Sequence, residues 1–174
     1  MLIILGGLPG TGKTTIAKQL AKHLKAVYLR VDTVEQILKR ANHIEVIGPE
    51  GYLICYGIAV DNLRLGQFVI ADSVNPIAVT RSDWQQVAKE ANVKFIEVEL
   101  VCSDMLSHKN RIETRKADIP EHRLPCWQDV LNRDYEPWES KSLSIDTSMY
   151  SVDESVKIIL DYIIAIEKGA PRVE

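Results

Sequence analysis

The sequence predicts an α/β fold of three layers built around a five-stranded parallel sheet. Short apolar runs, such as residues 2–5 and 68–71, alternate with longer segments in which apolar residues recur at helical spacing. This alternation is typical of parallel strands connected through helices. No internal repeat or low-complexity segment interrupts it.

The elements follow one another closely along the chain. The predicted strands are 2–5, 26–31, 68–71, 93–101 and 143–145. The predicted helices begin within the glycine-rich segment after residue 6 and near residues 34, 49, 80, 104, 125 and 151. Thr80 is expected to cap its helix, and Ser151 to Glu154 forms a capping box for the last helix.

The chain length and composition fit a single globular domain. Hydrophobic residues make up 46% of the 174 residues and charged residues 26%. We therefore expect one domain over residues 1–170 and a tail over 171–174. The net charge of −3 argues against a protein that coats nucleic acid, although a small basic groove remains compatible with it.

The cysteines and the first residues indicate the compartment. The three cysteines are widely separated and form no Cys-x-x-Cys pair, which favours a reducing environment over a disulfide or zinc framework. The apolar run at residues 2–5 is too short for a signal peptide or a membrane span. We expect a cytoplasmic protein without a membrane partner.

A glycine-rich segment follows the first strand and fits G-x-x-x-x-G-K-[ST] over residues 7–14. Its backbone N–H groups and the positive end of the next helix suit phosphate oxygens. Lys13 should reach the β- and γ-phosphates, and the Thr14 hydroxyl should coordinate Mg²⁺. The alternative is a glycine turn with a surface lysine. The predicted nucleotide contacts, for ATP with Mg²⁺, are Gly7, Leu8, Pro9, Gly10, Thr11, Gly12, Lys13, Thr14 and Thr15.

Acidic residues end two of the predicted strands. Asp32 and Asp72 should face the same edge of the sheet as the glycine-rich loop, because ligands of such sheets sit beyond the carboxyl ends of the strands. Asp32 is interpreted as a general base or acceptor-orienting residue, and Asp72 as a ligand of Mg²⁺ or a contact to the acceptor. Capping of the following helix is the alternative for Asp32, and a purely structural role is the alternative for Asp72. Glu99 is expected to be an outward charge at the edge of the sheet.

Two arginines are predicted to form a helical lid over residues 104–124. Arg111 and Arg115 are four residues apart and so should share one helix face. Guanidinium groups bind phosphate oxygens and stabilise the charge of a phosphoryl group in transfer. The alternative is a solvated face with ion pairs such as Glu113 to Lys109.

An aromatic group lies between Trp127 and Trp138 and includes Tyr135. It could line an acceptor pocket, but such residues more often pack in a core. Asp118 and Glu136 could contact an acceptor, and nothing in the sequence distinguishes them.

Together, these features resemble the small P-loop kinases: the glycine-rich loop, Asp32, Asp72 and the two arginines. The nearest branch of that group includes chloramphenicol phosphotransferase, zeta toxin, adenylylsulfate kinase and phage polynucleotide kinase. Residues 111–119, 124–127 and 135–138 resemble a bacterial subgroup described as adenylylsulfate-kinase-like or AAA-family ATPase. The resemblance implies a nucleoside-monophosphate-kinase-like fold, with Asp32 as the base for the acceptor hydroxyl. It also implies that Thr147 and Ser148 lie near the adenine. Arg30 stands where shikimate kinases carry a second acid, so that pattern is not met.

The leading hypothesis is an ATP-dependent kinase that acts on a hydroxyl of a small molecule, with Lys13, Asp32, Arg111 and Arg115 as catalytic residues. A polynucleotide 5′-kinase is a second hypothesis, which the net charge disfavours. A nucleotide-dependent switch that transfers nothing is a third. The sequence leaves open the acceptor, the oligomeric state and the choice of ATP over GTP.

Overall fold

Five parallel strands form the centre of the protein. The computed structural model describes residues 1–43, 46–139 and 141–169. The strands are β1 Leu2–Gly6, β2 Val27–Arg30, β3 Val69–Asp72, β4 Phe95–Val101 and β5 Leu143–Asp146. Their order across the sheet is β2-β3-β1-β4-β5, and every neighbouring pair is parallel. The predicted five-stranded parallel sheet is confirmed.

Helices cover both faces of this sheet. They are α1 Lys13–Leu24, α2 Val31–Asn42, α3 Glu50–Arg64, α4 Ala78–Glu90, α5 Met105–Thr114, α6 Trp127–Leu131 and α7 Val152–Glu167. Side chains alternate along β1, so Leu2 and Ile4 pack on one face and Ile3 and Leu5 on the other. Residues of α3 and α4 cover the first face, and residues of α1 and α7 cover the second. The three predicted layers are therefore present.

Two helix boundaries differ from the prediction. Thr80 is not a cap, because α4 begins two residues earlier and its N-cap is Ile77. The carboxylate of Glu136 accepts a hydrogen bond from the backbone N–H of Ala78 at 2.5 Å, so a distant residue caps this helix. The helix predicted from residue 125 to 135 is only the five-residue α6, which ends at Leu131. The Asn and Asp residues that follow favour local hydrogen bonds over continued helix.

The prediction for Glu99 was wrong. Strand β4 lies between β1 and β5, and Glu99 is buried with 7% of its surface exposed. Its carboxylate lies 2.9 Å from Lys141 Nζ and accepts a hydrogen bond from the Tyr135 hydroxyl at 3.1 Å. This buried charge is therefore paired and holds the segment before β5 against the sheet.

Other expectations can be compared with the described residues. The capping box at Ser151 and Glu154 is present. Cys55, Cys102 and Cys126 are all free thiols. Within residues 1–43, 46–139 and 141–169, no helix is long and apolar enough to cross a membrane. The predicted tail at 171–174 lies outside the described residues.

Candidate active site

The glycine-rich loop lies between β1 and α1 at the carboxyl end of β1. Gly7 and Gly10 have φ angles of +133° and +85°, which side chains other than hydrogen rarely tolerate. A Cβ atom on Gly7 would lie 2.1 Å from the Leu100 carbonyl oxygen, and one on Gly10 would lie 2.7 Å from Ile112 Cδ1. Both glycines are therefore required for the loop to pass between its neighbours. The N-cap of α1 is Gly12, and no side chain caps it, so the first N–H groups are available to an anion.

Lys13 is buried inside this loop. Its side-chain amine donates a hydrogen bond to the carbonyl oxygen of Leu8 at 2.9 Å. Burial lowers the pKa of Lys13 to about 8, although the charges of Asp72 and Asp32 act in the opposite direction. A buried ammonium with one internal hydrogen-bond partner is a favourable site for phosphate oxygens, because their negative charge would compensate its positive charge.

The pKa of Lys13 predicts how nucleotide binding depends on pH. Phosphate binding needs the protonated amine, and the free protein loses this proton as the pH rises through about 8. We expect the Kd for ATP to increase above pH 8 by up to about tenfold per pH unit. Calorimetric titrations between pH 6.5 and 9.5 would measure this, and Lys13→Ala should abolish the dependence. An equally steep rise in Lys13→Ala would assign the titration to another group.

Asp72 ends β3 beside the first turn of α1. The Thr14 hydroxyl donates a hydrogen bond to its Oδ2 at 2.8 Å, and the Tyr28 hydroxyl donates another to the same oxygen at 2.7 Å. Burial and the Asp72 carboxylate raise the pKa of Tyr28, so its phenol stays a donor. Thr14 and Asp72 thus lie as expected for the protein side of a magnesium site.

The donor set fits Mg²⁺ better than a metal held by protein alone. No group of three or more His, Cys, Asp or Glu residues is arranged to hold a metal within the part of the chain that the structure describes. Mg²⁺ usually takes one or two protein oxygens and completes its shell with water and phosphate. One hydroxyl and one carboxylate next to a phosphate loop meet that requirement.

Asp32 lies in the first turn of α2, because β2 ends at Arg30 and the helix starts at Val31. The N-cap of α2 is Arg30, so the expectation that Asp32 might cap this helix is wrong. The carboxylate lies 3.7 Å from Arg30 Nε, and 40% of its side-chain surface is exposed. Burial and then the charge of Asp32 raise the pKa of the neighbouring Glu35. Asp32 is thus an accessible carboxylate that borders the cleft described below.

The two predicted lid arginines lie on either side of the end of α5. Arg111 lies on α5 and donates hydrogen bonds to Thr147 Oγ1 and to the Thr147 carbonyl oxygen, each at 2.8 Å. Arg115 follows the end of α5 in an extended conformation and donates to the Pro125 carbonyl oxygen at 3.2 Å. Arg115 therefore lies one residue beyond the last residue of the helix. The predicted ion pair between Lys109 and Glu113 is present at 3.8 Å.

Helix α5 is fixed to the phosphate loop. The His108 ring nitrogen Nε2 lies 2.7 Å from the Pro9 carbonyl oxygen, and the ring packs edge-on against Trp127 at 5.2 Å. His108 is buried, and the side chain of Ile112, one turn later, lies where it would crowd a Cβ atom on Gly10. The loop and the predicted lid therefore form one packed unit.

These side chains border one large cleft. It has a volume of about 1230 Å³ and is lined by Lys13, Thr14, Asp32, Asp72, Arg111 and Arg115, among others. A second cavity of about 340 Å³ shares Gly12, Thr15 and Arg111 with it and reaches Thr147 and Tyr150. Ser148 does not line either cavity; its backbone N–H and its hydroxyl both donate to Asp146.

The aromatic group lies elsewhere. Trp127, Tyr135 and Trp138 are absent from the described lining of the cleft. Trp138 is buried, with the Arg81 guanidinium 5.2 Å from the centre of its ring. These contacts support the packing interpretation over an acceptor pocket.

Sequence reasoning missed three polar residues of this region: Tyr28, Arg30 and His108. Strands of a parallel sheet are usually apolar, so a tyrosine and an arginine two apart in the predicted strand 26–31 were a usable signal. His108 gave no such signal in the sequence, because its hydrogen-bond partner is a carbonyl oxygen 99 residues away.

The sheet order, the phosphate loop after β1 and an acid at the end of β3 define a P-loop nucleotide-binding domain. The AAA_33 family, described as an AAA domain, matches residues 2–133. The chain belongs to this family, and its resemblance to the small P-loop kinases is confirmed.

Two of the relatives with assigned names are kinases of small molecules. The chain is 27% identical to a candidate adenylyl-sulfate kinase of Aeropyrum pernix, over 95% of this chain and 93% of the relative. It is 25% identical to a shikimate kinase of Pelotomaculum thermopropionicum, over 92% and 94%.

Solved structures share the fold. A candidate kinase of Chloroflexus aurantiacus superposes with a TM-score of 0.74 at 23% identity, over 92% of this chain and 97% of that one. The adenylylsulfate (APS) kinase of Mycobacterium tuberculosis, in complex with AMPPNP and APS, superposes with a TM-score of 0.64 at 17% identity, over 94% and 96%.

Proposed function

We propose that this protein is an ATP-dependent kinase that transfers the γ-phosphoryl group to a hydroxyl of a small molecule. One observation carries the proposal. A single cleft is bordered by the phosphate loop, by the Thr14–Asp72 pair and by the accessible carboxylate of Asp32. A nucleotide switch needs the first two features, whereas a hydroxyl acceptor also needs a base.

Each residue has a role that follows from its chemistry. Lys13 and the loop N–H groups would hold the β- and γ-phosphates, and Thr14 and Asp72 would hold Mg²⁺, which would neutralise charge on the triphosphate. Asp32 takes the proton of the acceptor hydroxyl. At the same time the acceptor oxygen bonds to the γ-phosphorus, and the bond between that phosphorus and the departing ADP breaks. Arg111 and Arg115 stabilise the charge of the group in transfer. The kinase domain is assigned to residues 1–170, with the lid at about 104–124.

The second cavity suits the nucleoside part of ATP. It begins at Gly12 and Thr15 on the phosphate loop and ends at Thr147 and Tyr150 beyond β5. Arg111 borders both cavities and is bonded to Thr147, so it lies where the two cavities meet.

A panel of hydroxyl acceptors tests the function. ATP labelled at the γ-phosphate is incubated with the full chain, Mg²⁺ and each acceptor, and label transfer is measured beside basal hydrolysis. We expect at least one acceptor to receive label and to stimulate ATP consumption. If none does, and Asp32→Asn leaves basal hydrolysis intact, the protein is a switch and not a kinase.

Replacing Asp72 tests the magnesium assignment. Asp72→Asn keeps an oxygen for the Thr14 hydroxyl but removes the charge. We expect the Mg²⁺ concentration for half-maximal ATP turnover to rise about 10- to 100-fold. Asp61→Asn, an exposed position on α3, is the matched control and should behave as wild type. An unchanged Mg²⁺ requirement in Asp72→Asn would remove Asp72 from the metal site.

Replacing the lid arginines separates binding from transfer. A hydrogen bond to a charged group contributes about 1.5–3 kcal/mol, so Arg111→Ala and Arg115→Ala should each lower kcat about 10- to 100-fold. The Kd for ATP should change far less. Arg64→Ala removes an exposed arginine paired with Glu90 and serves as the control. Unchanged kcat in both lid variants would exclude them from the transfer step.

A further inference from the structure

Arg30 is a partly buried cation without an assigned role in the proposed reaction. It ends β2, and only 10% of its side-chain surface is exposed, although it borders the cleft. Its Nη1 lies 2.9 Å from both carboxylate oxygens of Asp118. Its Nε is buried and has no hydrogen-bond partner within the residues that the structure describes. Asp118 therefore engages only one nitrogen of the guanidinium, whereas an anion that replaced it could form two parallel bonds.

The carboxylate that meets Arg30 comes from the lid. Asp118 follows α5 in the chain, and 44% of its side-chain surface is exposed. Lys18 on α1 lies 2.6 Å from the same carboxylate. These bonds and charges hold the pKa of Asp118 at about 2 against the effect of desolvation. The group that occupies the guanidinium is therefore an anion at any physiological pH.

The charge of the cleft favours a further anion. Nine lysines and arginines border it, against five aspartates and glutamates. Lys13, Arg111 and Arg115 are assigned to the triphosphate. Among the residues that the structure describes, Lys18 pairs with Asp118 alone, and Arg30 pairs with Asp118 and with the more distant Asp32. Without Asp118, the partly buried guanidinium would keep only the more distant Asp32 as a countercharge among the described residues, which favours the entry of another anion.

We infer that Arg30 is the binding site for an anionic group of the acceptor and that Asp118 occupies it when the acceptor is absent. The inference rests on the proposed function and narrows its substrate class. The acceptor is a compact hydroxyl compound with a carboxylate, phosphate or sulfate group. Its anion lies close to the reacting hydroxyl, because Arg30 Nε is 3.7 Å from the proposed base Asp32. Binding releases Asp118 and with it the segment between α5 and α6.

Inorganic sulfate is a suitable probe of this site. The full chain is saturated with Mg²⁺ and AMPPNP so that the phosphate loop is filled, and sulfate is titrated at constant ionic strength. Backbone amide signals near Arg30 report binding there, separately from those of residues 7–14. Asp118→Asn removes the competing anion, and we expect it to tighten sulfate binding about tenfold. Arg30→Gln should abolish binding, and Arg30→Lys should weaken it.

The controls distinguish the site from general charge. Arg64 on α3 is an exposed arginine whose Nη2 lies 3.1 Å from Glu90, so Arg64→Gln matches Arg30→Gln in chemistry outside the cleft and the lid. It should leave sulfate binding unchanged. Asp118 is half-exposed, so Asp118→Asn should fold even if Arg30→Gln does not. Sulfate binding that is unchanged in Asp118→Asn overturns the inference.

Acceptors in matched pairs, with and without a carboxylate, give the second measurement. We expect phosphoryl transfer to the charged member of a pair and an increase in its KM in Arg30→Lys. Transfer to uncharged acceptors alone would overturn this inference but leave the kinase proposal standing. Sulfate binding at Arg30 without transfer to any acceptor would support the anion site but overturn the kinase proposal.

Discussion

Replacing Lys13 with alanine should lower kcat/KM for ATP by about 10²- to 10³-fold, the usual effect of removing one preorganised donor from developing charge. The amine is buried, its pKa is lowered to about 8, and its hydrogen-bond partner is the carbonyl oxygen of Leu8. The negative charge of the phosphates would compensate the positive charge of the buried amine. We therefore expect losses in both ATP affinity and turnover, measurable by calorimetry and by steady-state kinetics.

The control for this variant is Lys157→Ala. Lys157 lies on α7 with 75% of its side-chain surface exposed and pairs with Asp161. It should leave both quantities within about twofold of wild type, since exposed ion pairs contribute less than about 1 kcal/mol. If Lys13→Ala bound ATP and Mg²⁺ as tightly as wild type, the loop would not be a triphosphate site.

Replacing Asp32 with asparagine should lower the rate of phosphoryl transfer by about 10²- to 10⁴-fold, the range of a general base. The amide keeps the shape of the side chain and a hydrogen bond to the acceptor, but it cannot take the proton. Because Asp32 lies in the first turn of α2 and not in the phosphate loop, the Kd for ATP should stay nearly constant. Single-turnover transfer of label and equilibrium binding of ATP separate the two effects.

Asp153→Asn provides the comparison. Asp153 lies in the first turn of α7, as Asp32 does in α2, but it is exposed and bonded only to Gln19 in the described contacts. Loss of its charge should change stability slightly and transfer not at all. A normal rate of transfer in Asp32→Asn would exclude Asp32 as the base and limit it to positioning the acceptor.

The phosphate loop could be predicted because all of its chemistry lies within nine consecutive residues. The loop needs glycines at fixed places, a lysine and a hydroxyl, and residues 7–15 provide them. The sheet could be predicted for a similar reason, since buried parallel strands are continuous apolar runs. The strand ends were less well defined: Asp32 belongs to α2 because no loop separates β2 from that helix.

The other contacts of the site could not be predicted because they join distant parts of the chain. Arg30 and Asp118 are 88 residues apart, and His108 and Pro9 are 99 apart. No local pattern encodes such pairs. Thr80 shows the same limit for a helix end, because the cap that replaces it comes from Glu136, 58 residues beyond the first residue of α4.

The attachment of α5 to the phosphate loop implies reciprocity between the two substrates. His108 holds the Pro9 carbonyl oxygen, and Ile112 packs on Gly10, so a change in the loop must be felt by the helix that leads to Asp118. Thermodynamic linkage then requires that the two substrates change each other's affinity equally. By whatever factor ATP alters the affinity for a compound held beneath residues 104–124, that compound alters the affinity for ATP. The order in which the two arrive would be a kinetic property only, because the free energy of the ternary complex is the same by either route.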